Sequence, residues 1–216
     1  LVGAVTALKT HPRKADKIQV YLDGRYALTL SRLLASRLRV GQTLSDEELE
    51  QLVAAEAEEQ AYQRALRFLG RRPHSEVELR EKLTKGQAPE DAIERVIARL
   101  KDRALIDDVA FAKAWVENRE MYRPRAAKAL RAELRRKGIA AQAIQAALED
   151  FDETSAAAKA AAKAWRKYRG LPEPVARRRL TGYLSRRGFN YRLCKTIVEK
   201  ALRGALTPPD ESEVVQ

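Results

Sequence analysis

Three proline-led segments of this chain can be laid over one another. Pro73, Pro124 and Pro174 are separated by 51 and 50 residues. Six residues after each stands a leucine (Leu79, Leu130, Leu180), and four further on another (Leu83, Leu134, Leu184). A glycine follows in each copy, Gly86, Gly138 and Gly188, with the first copy one residue shorter in this alignment. A second apolar run comes next. It carries Ile93, Val96, Ile97 and Leu100 in the first copy, Ile144 and Leu148 in the second, and Ile197, Val198 and Leu202 in the third. Upstream, Trp115 and Trp165 also match, whereas the first copy has Arg64 at that place.

Self-similarity at this period is the signature of a repeat architecture, in which one supersecondary unit is copied. Leucines at i and i+4 share one helical face, and glycine suits the left-handed residue that closes a helix. Each copy therefore reads as three helices; the second is expected at 107–121, 124–137 and 140–150. The predicted fold is mainly α, with tandem three-helix, helix-turn-helix-like repeats stacked into an elongated, curved molecule.

The first 44 residues follow a different period. Val2 to Leu8 is rich in strand formers, and Ile18, Val20 and Leu22, then Tyr26, Leu28 and Leu30, alternate on either side of Asp23-Gly24. That dipeptide between alternating runs signals a tight β-hairpin. A short helix over 31–38, closed by Gly41, is expected next. Ser45 with Glu48 has capping-box spacing and opens one long amphipathic pattern to Gly70 and Pro73, and Ser75 with Glu78 repeats the signal. The expected modules are 1–44 (β-hairpin with short helix), 45–105 (connecting helix and first repeat), 106–153 (second repeat), 154–203 (third repeat), and a disordered tail from 204 containing Pro208-Pro209 and three acidic residues.

Charge says most about partners. The 216 residues carry a net charge of +12, a balance that favours nucleic acid or an acidic protein surface. Residues 1–44 hold 8 basic and 2 acidic side chains, 45–105 hold 11 and 14, 106–153 hold 9 and 9, and 154–216 hold 14 and 5. No run approaches the ~18 apolar residues of a membrane span. The chain opens without a basic-then-apolar signal, at Leu1, with Met121 as its only methionine, so residues before Leu1 are an open question. One cysteine, Cys194, excludes an internal disulfide and suits a reducing, cytoplasmic setting. With only two histidines, a typical zinc site is not expected.

Catalytic signatures are missing: the sequence has neither a phosphate-binding P-loop nor a Gly-x-Gly-x-x-Gly turn. Asp107-Asp108 could in principle be an acid–base pair. Asp107, however, sits where a helix cap belongs, and Ile106 and Phe111 have hydrophobic-staple spacing. Cys194 reads as a buried thiol, and His11 and His74 as ordinary loop residues. The expectation is a binding protein, not an enzyme, with no cofactor.

The basic residues gather in the middle helix of each copy and just after it. Arg125, Lys128, Arg131 and Arg135 follow spacings of 3, 3 and 4, and Arg136 and Lys137 extend the stripe. The third copy has Arg177, Arg178, Arg179, Arg186 and Arg187; the first has Arg71, Arg72, Arg80, Lys82 and Lys85. Such a stripe neutralises phosphates with little sequence preference. The residues of the second and third copies form the candidate contact surface. Trp115 and Trp165 are assigned to repeat cores.

The run Leu79-Arg-Glu-Lys-Leu83, the segment Ile93–Leu100, Ile106-Asp107-Asp108-x-x-Phe111-Ala112, Arg119 and Glu133-Leu134-x-x-Lys137-Gly138-Ile139 together resemble the RecX family of RecA regulators. The resemblance spans roughly residues 60–203; Ala104 departs from it, standing where the family usually has glycine. It implies three tandem three-helix repeats, no catalysis, and binding to the RecA–single-stranded-DNA filament along its helical groove. It further implies lowered RecA ATP hydrolysis and strand exchange, and with them less recombination, DNA repair and SOS induction. The protein is then expected as a monomer with no membrane partner and weak duplex affinity. A free-standing DNA-binding protein (nucleoid or transcription factor) and a purely structural helical adaptor are the alternatives. The scarcity of Asn and Gln at the ends of the middle helices weighs against operator reading.

Overall fold

The computed structural model describes residues 3–206; most of the expected tail, from residue 207, lies outside them. The chain divides into two compact units between Ile106 and Asp107.

The first unit opens with strands β1 (Gly3–His11), β2 (Lys14–Leu22) and β3 (Arg25–Ser31). A short helix, α1 (Arg32–Ala35), leads to β4 (Thr43–Leu44), and the antiparallel sheet has the order β3-β2-β1-β4. Asp23 and Gly24 both have positive φ, +48° and +80°, which is the turn expected between β2 and β3. The two-residue β4 was missed, because it is too short to show alternation. Val5, Val20, Leu30, Leu34, Leu38 and Leu44 form the core of this module.

Helix α2 (Asp46–Leu69) serves two cores. Its Ser45–Glu48 capping box forms as expected. Its first half sends Leu52 and Ala55 onto the β-module, and its second half packs Ala61, Tyr62 and Ala65 against α3 (Glu76–Lys85) and α4 (Glu90–Asp102). Glu56 ties the two halves together. Buried on α2, it accepts from Lys17 Nζ at 2.5 Å, the Ser31 backbone N–H at 2.6 Å and Gln60 Nε2 at 2.8 Å.

The second unit holds two triplets: α5 (Asp108–Tyr122), α6 (Ala127–Arg136) and α7 (Ala141–Ala147), then α8 (Glu153–Tyr168), α9 (Glu173–Ser185) and α10 (Tyr191–Leu202). Asp107 and Asp152 cap α5 and α8 in the same way, each side chain accepting two backbone N–H bonds. Ile106 belongs to the core of the first triplet and Phe111 to that of the second. Phe151 packs against the cores of both the second and third triplets.

All six repeat leucines are fully buried: Leu79, Leu83, Leu130, Leu134, Leu180 and Leu184 each show 0 % exposure. The helix closure differs from the expectation in one respect. The left-handed residue is Gln87 (φ +60°) in the first triplet, not Gly86, and it corresponds to Gly138 (+77°) and Gly188 (+92°). The copies are thus in register without a deletion. The residue after each turns its N–H back to the second leucine: Ala88 to Leu83 O at 3.2 Å, Ile139 to Leu134 O at 3.1 Å, and Phe189 to Leu184 O at 3.4 Å. This 6→1 bond is the Schellman closure. The prolines are less uniform. Pro73 and Pro124 stand two residues before the caps Ser75 and Ala126, whereas Pro174 lies inside the first turn of a longer α9, where proline is tolerated.

Ala104 is also left-handed (φ +52°) and closes α4, with Leu105 N–H donating to Leu100 O at 2.9 Å. Alanine therefore takes a left-handed position that glycine would occupy without strain, at a steric cost. Replacing Gln87 or Ala104 by glycine should stabilise the chain by roughly 0.5–1 kcal/mol. Gly188→Ala should destabilise it by about 1–3 kcal/mol, because the added Cβ would also stand 3.0 Å from the Ala129 Cβ. Denaturant midpoints at unchanged slope test both signs.

Candidate functional site

Helix α6 turns Leu130, Glu133 and Leu134 inward. The opposite face leaves Lys128, Arg135 and Arg136 exposed and Arg131 half-buried. Among the described residues none of these four cations is paired with a carboxylate.

Arg125 and Lys137 are held differently. Glu133 is buried, and its carboxylate accepts from Arg119 Nε at 2.8 Å and Trp115 Nε1 at 2.9 Å and pairs with Arg125 at 3.0 Å. Burial pushes this carboxyl up. The bonds from Arg119 and Trp115 and the charges of Arg119 and Arg125 outweigh it and hold Glu133 below its usual range. Lys137 Nζ stands 4.2 Å from the centre of the Trp115 ring, which stacks on Phe111. Trp115 thus belongs to a core-edge network of aromatic ring and cations; Trp165 packs half-buried against the third core.

The third triplet shows the same division. Arg177 is bridged to Glu173 and Glu199, whereas Arg178, Arg179 and Arg186 are exposed and lack carboxylate partners among the described residues. Arg187 lies half-buried over Tyr183 at 3.7 Å. Burial lowers its pKa; Tyr183 works against that, and the positive charges of Arg125 and Arg186 add to the lowering. The Arg187 carbonyl accepts from the Ala126 N–H at 3.1 Å. The start of α6 and the end of α9 therefore meet, and they bring Arg125, Arg186 and Arg187 into one like-charged neighbourhood. A bound anion would relieve that crowding.

The first triplet has basic residues at related positions but a different electrostatic balance. Arg72 pairs with Glu78, Arg80 with Glu76 and Glu94, Lys101 with Glu76, and Arg99 with Glu59. Lys82 sits over the Phe68 ring at 4.6 Å. Arg71 and Lys85 are exposed with no carboxylate partner among the described residues, so the first triplet keeps fewer available cations than its sequence suggests, and its middle helix has Arg80 neutralised. With the 51-residue offset, Arg80 corresponds to Arg131, and its partners Glu76 and Glu94 correspond to Ala127 and Gln145. The second triplet keeps the cation and lacks both carboxylates.

Some basic residues escaped the sequence reading. Arg192, Lys195, Lys200 and Arg203 are exposed on and just after α10, beside Tyr191 at 73 % exposure. The charge excess of residues 154–216 pointed there, but the stripe was sought only around the middle helices. His74 lies in the loop before the Ser75 cap, as expected, and is buried there, with Nδ1 2.9 Å from Arg72 O; burial lowers its pKa. Cys194 is fully buried as expected, and burial pushes its thiol up. Among the described residues there is no cluster of side chains suited to a metal ion, and no helix is long and apolar enough to cross a membrane.

Three family models describe this arrangement: RecX first three-helix domain over residues 61–100, second over 107–148 and third over 152–198. The chain belongs to the RecX family. A protein named regulatory protein RecX from Streptomyces coelicolor is 40% identical over 147 residues, covering 67% of this chain and 78% of that protein. One of the same name from Geobacillus kaustophilus is 30% identical over 223 residues, covering 99% and 82%. A crystal structure titled regulatory protein RecX superposes with a TM-score of 0.70 at 27% identity, covering 91% of this chain and 99% of that one. Each RecX three-helix domain corresponds to one triplet, and the β-module precedes the first.

Glu133 is the interaction in this RecX site most open to test. Its folded pKa is depressed, so its contribution to stability is present above the ordinary carboxylate pKa and is lost as pH falls through the lower folded value. Glu133→Ala should cost about 3 kcal/mol or more, since it strands Arg119 and Arg125. Glu133→Gln should shrink the stability difference between neutral and acid pH. Urea midpoints across pH measure both.

Proposed function

We propose that this RecX-family chain is a non-enzymatic regulator that binds the RecA–single-stranded-DNA filament and lowers its ATP hydrolysis and strand exchange. By that route it limits recombination and SOS induction. The observation that carries the reading is the set of cations on α6, on α9 and just after it that have no carboxylate partner among the described residues: Lys128, Arg131, Arg135, Arg136, Arg178, Arg179 and Arg186. Charge of this kind has no internal use and favours phosphate or acidic protein surface by counterion release. Arg125, Lys137, Arg177 and Arg187 flank it and are held by Glu133, by aromatic rings or by glutamates of the third triplet. The triplets in 106–153 and 154–203 are the binding modules, in a monomer acting in the cytoplasm.

A second reading, a free-standing duplex-binding protein, draws on one observation. α9 and α10 form a helix-turn-helix-like pair whose second helix starts with exposed Tyr191 and Arg192, the end that such motifs insert into a groove. It requires tight duplex binding without RecA and a steep salt slope.

One titration separates the readings. Adding the chain to RecA, ATP and single-stranded DNA should depress ATP hydrolysis at concentrations where labelled duplex alone stays free. The combined variant Arg131→Glu, Arg135→Glu, Arg136→Glu should weaken inhibition about tenfold or more, at unchanged helicity by circular dichroism. Undiminished inhibition by that variant rejects the surface, and tight duplex binding without an effect on RecA favours the second reading.

A further inference from the structure

The N-terminal sheet has a face that its core does not use. Leu8, Val20 and Leu28 form one cross-strand row and belong to the module's hydrophobic cluster. The neighbouring row on the opposite face is Ala7, Tyr21 and Tyr26, and Lys9, Gln19 and Thr29 form the next. Tyr26 is 55% exposed. Its ring stands edge-on to Tyr21, with centroids 6.1 Å apart and planes at 78°, and its hydroxyl shares a hydrogen bond with Thr29 Oγ1 at 3.0 Å. Lys9 Nζ lies 4.9 Å from the centre of the Tyr21 ring. Two phenol rings and an ammonium group thus share one solvent-facing patch.

The surrounding charge is one-sided. Of the eight cations in residues 1–44, only Lys17 reaches a carboxylate among the described residues, that of Glu56. Asp23, one of the two acidic residues, is turned back onto the Ala4 N–H at 3.0 Å. Cross-strand stabilisation alone would account for a Tyr21–Tyr26 contact. It does not account for a ring left more than half exposed beside the Lys9 ammonium, in a module whose cations outnumber its carboxylates eight to two.

We propose that this face binds single-stranded DNA, with bases stacking on Tyr26 and Tyr21 and a phosphate facing Lys9. Aromatic rings on a sheet within a cationic field suit unpaired bases, whose faces are free, and not a duplex, whose bases are stacked on each other. The choice of a deoxyribose strand rests on the function proposed above; the binding itself needs no RecA. This site belongs to the first compact unit, and α6 and α9 to the second.

The test uses the full chain carrying the Arg131→Glu, Arg135→Glu, Arg136→Glu background, so that α6 does not dominate. Anisotropy of a short fluorescein-labelled oligothymidylate is read without RecA. Tyr26→Ala should weaken binding about tenfold and Tyr26→Phe by less than about twofold. Lys9→Gln should weaken it and flatten its salt dependence. An iodouracil-substituted oligonucleotide should photo-crosslink the unmutated chain within β2 or β3. Unaltered affinity in Tyr26→Ala, equal losses in the Ala and Phe variants, the same Tyr26 dependence with a duplex, or no adduct on the sheet overturns the proposal. RecA inhibition, measured separately with each variant, reports on the regulatory reading independently.

Discussion

Two leucines four residues apart, followed by a left-handed residue, hold each triplet together. Burying a leucine contributes about 2 kcal/mol, and each pair lies at the centre of a small three-helix core. The Schellman bond then aims the chain into the third helix by returning the next residue's N–H to the second leucine. Because this constraint is local, it can be copied. The cores vary widely around it: α8 packs Ala156, Ala157, Ala160, Ala161 and Ala164 closely, whereas the second triplet fills the same role with Phe111, Ala112 and Val116.

The copies share a skeleton but not an electrostatic role. In the first triplet, carboxylates on α2, α3 and α4 engage Arg72, Arg80, Arg95 and Arg99, and the segment carries more acid than base. In the second and third, Glu133, Glu173 and Glu199 neutralise selected cations and leave the others facing water. Removing two carboxylates, at the places of Glu76 and Glu94, is enough to convert a structural arginine into an available one.

The sequence made the periodic and capped parts legible because they depend on short-range chemistry. Asp23-Gly24, the Ser45 and Ser75 capping boxes and the Asp107 cap are each set within a few residues. What it concealed depends on distant partners. Gly86 looked like the left-handed residue, but only the closed helix shows that Gln87 has that role. The burial of Glu56 and Glu133 follows from partners 14 to 39 residues away, which no local pattern reveals. Likewise, an arginine's availability cannot be read from its own spacing. Arg80 and Arg131 occupy one repeat position and differ in the carboxylates that their own helix and the next one supply.

That difference yields the most direct test of the central claim, that unneutralised charge on the second and third triplets makes the binding surface. Installing the first triplet's carboxylates in the second, as Ala127→Glu with Gln145→Glu, should engage Arg131 as Arg80 is engaged. Inhibition of RecA's DNA-dependent ATP hydrolysis by this double variant is the measurement. The account predicts a loss of several-fold in inhibitory potency at equal or higher thermal stability. Full potency with the new ion pairs formed would contradict it.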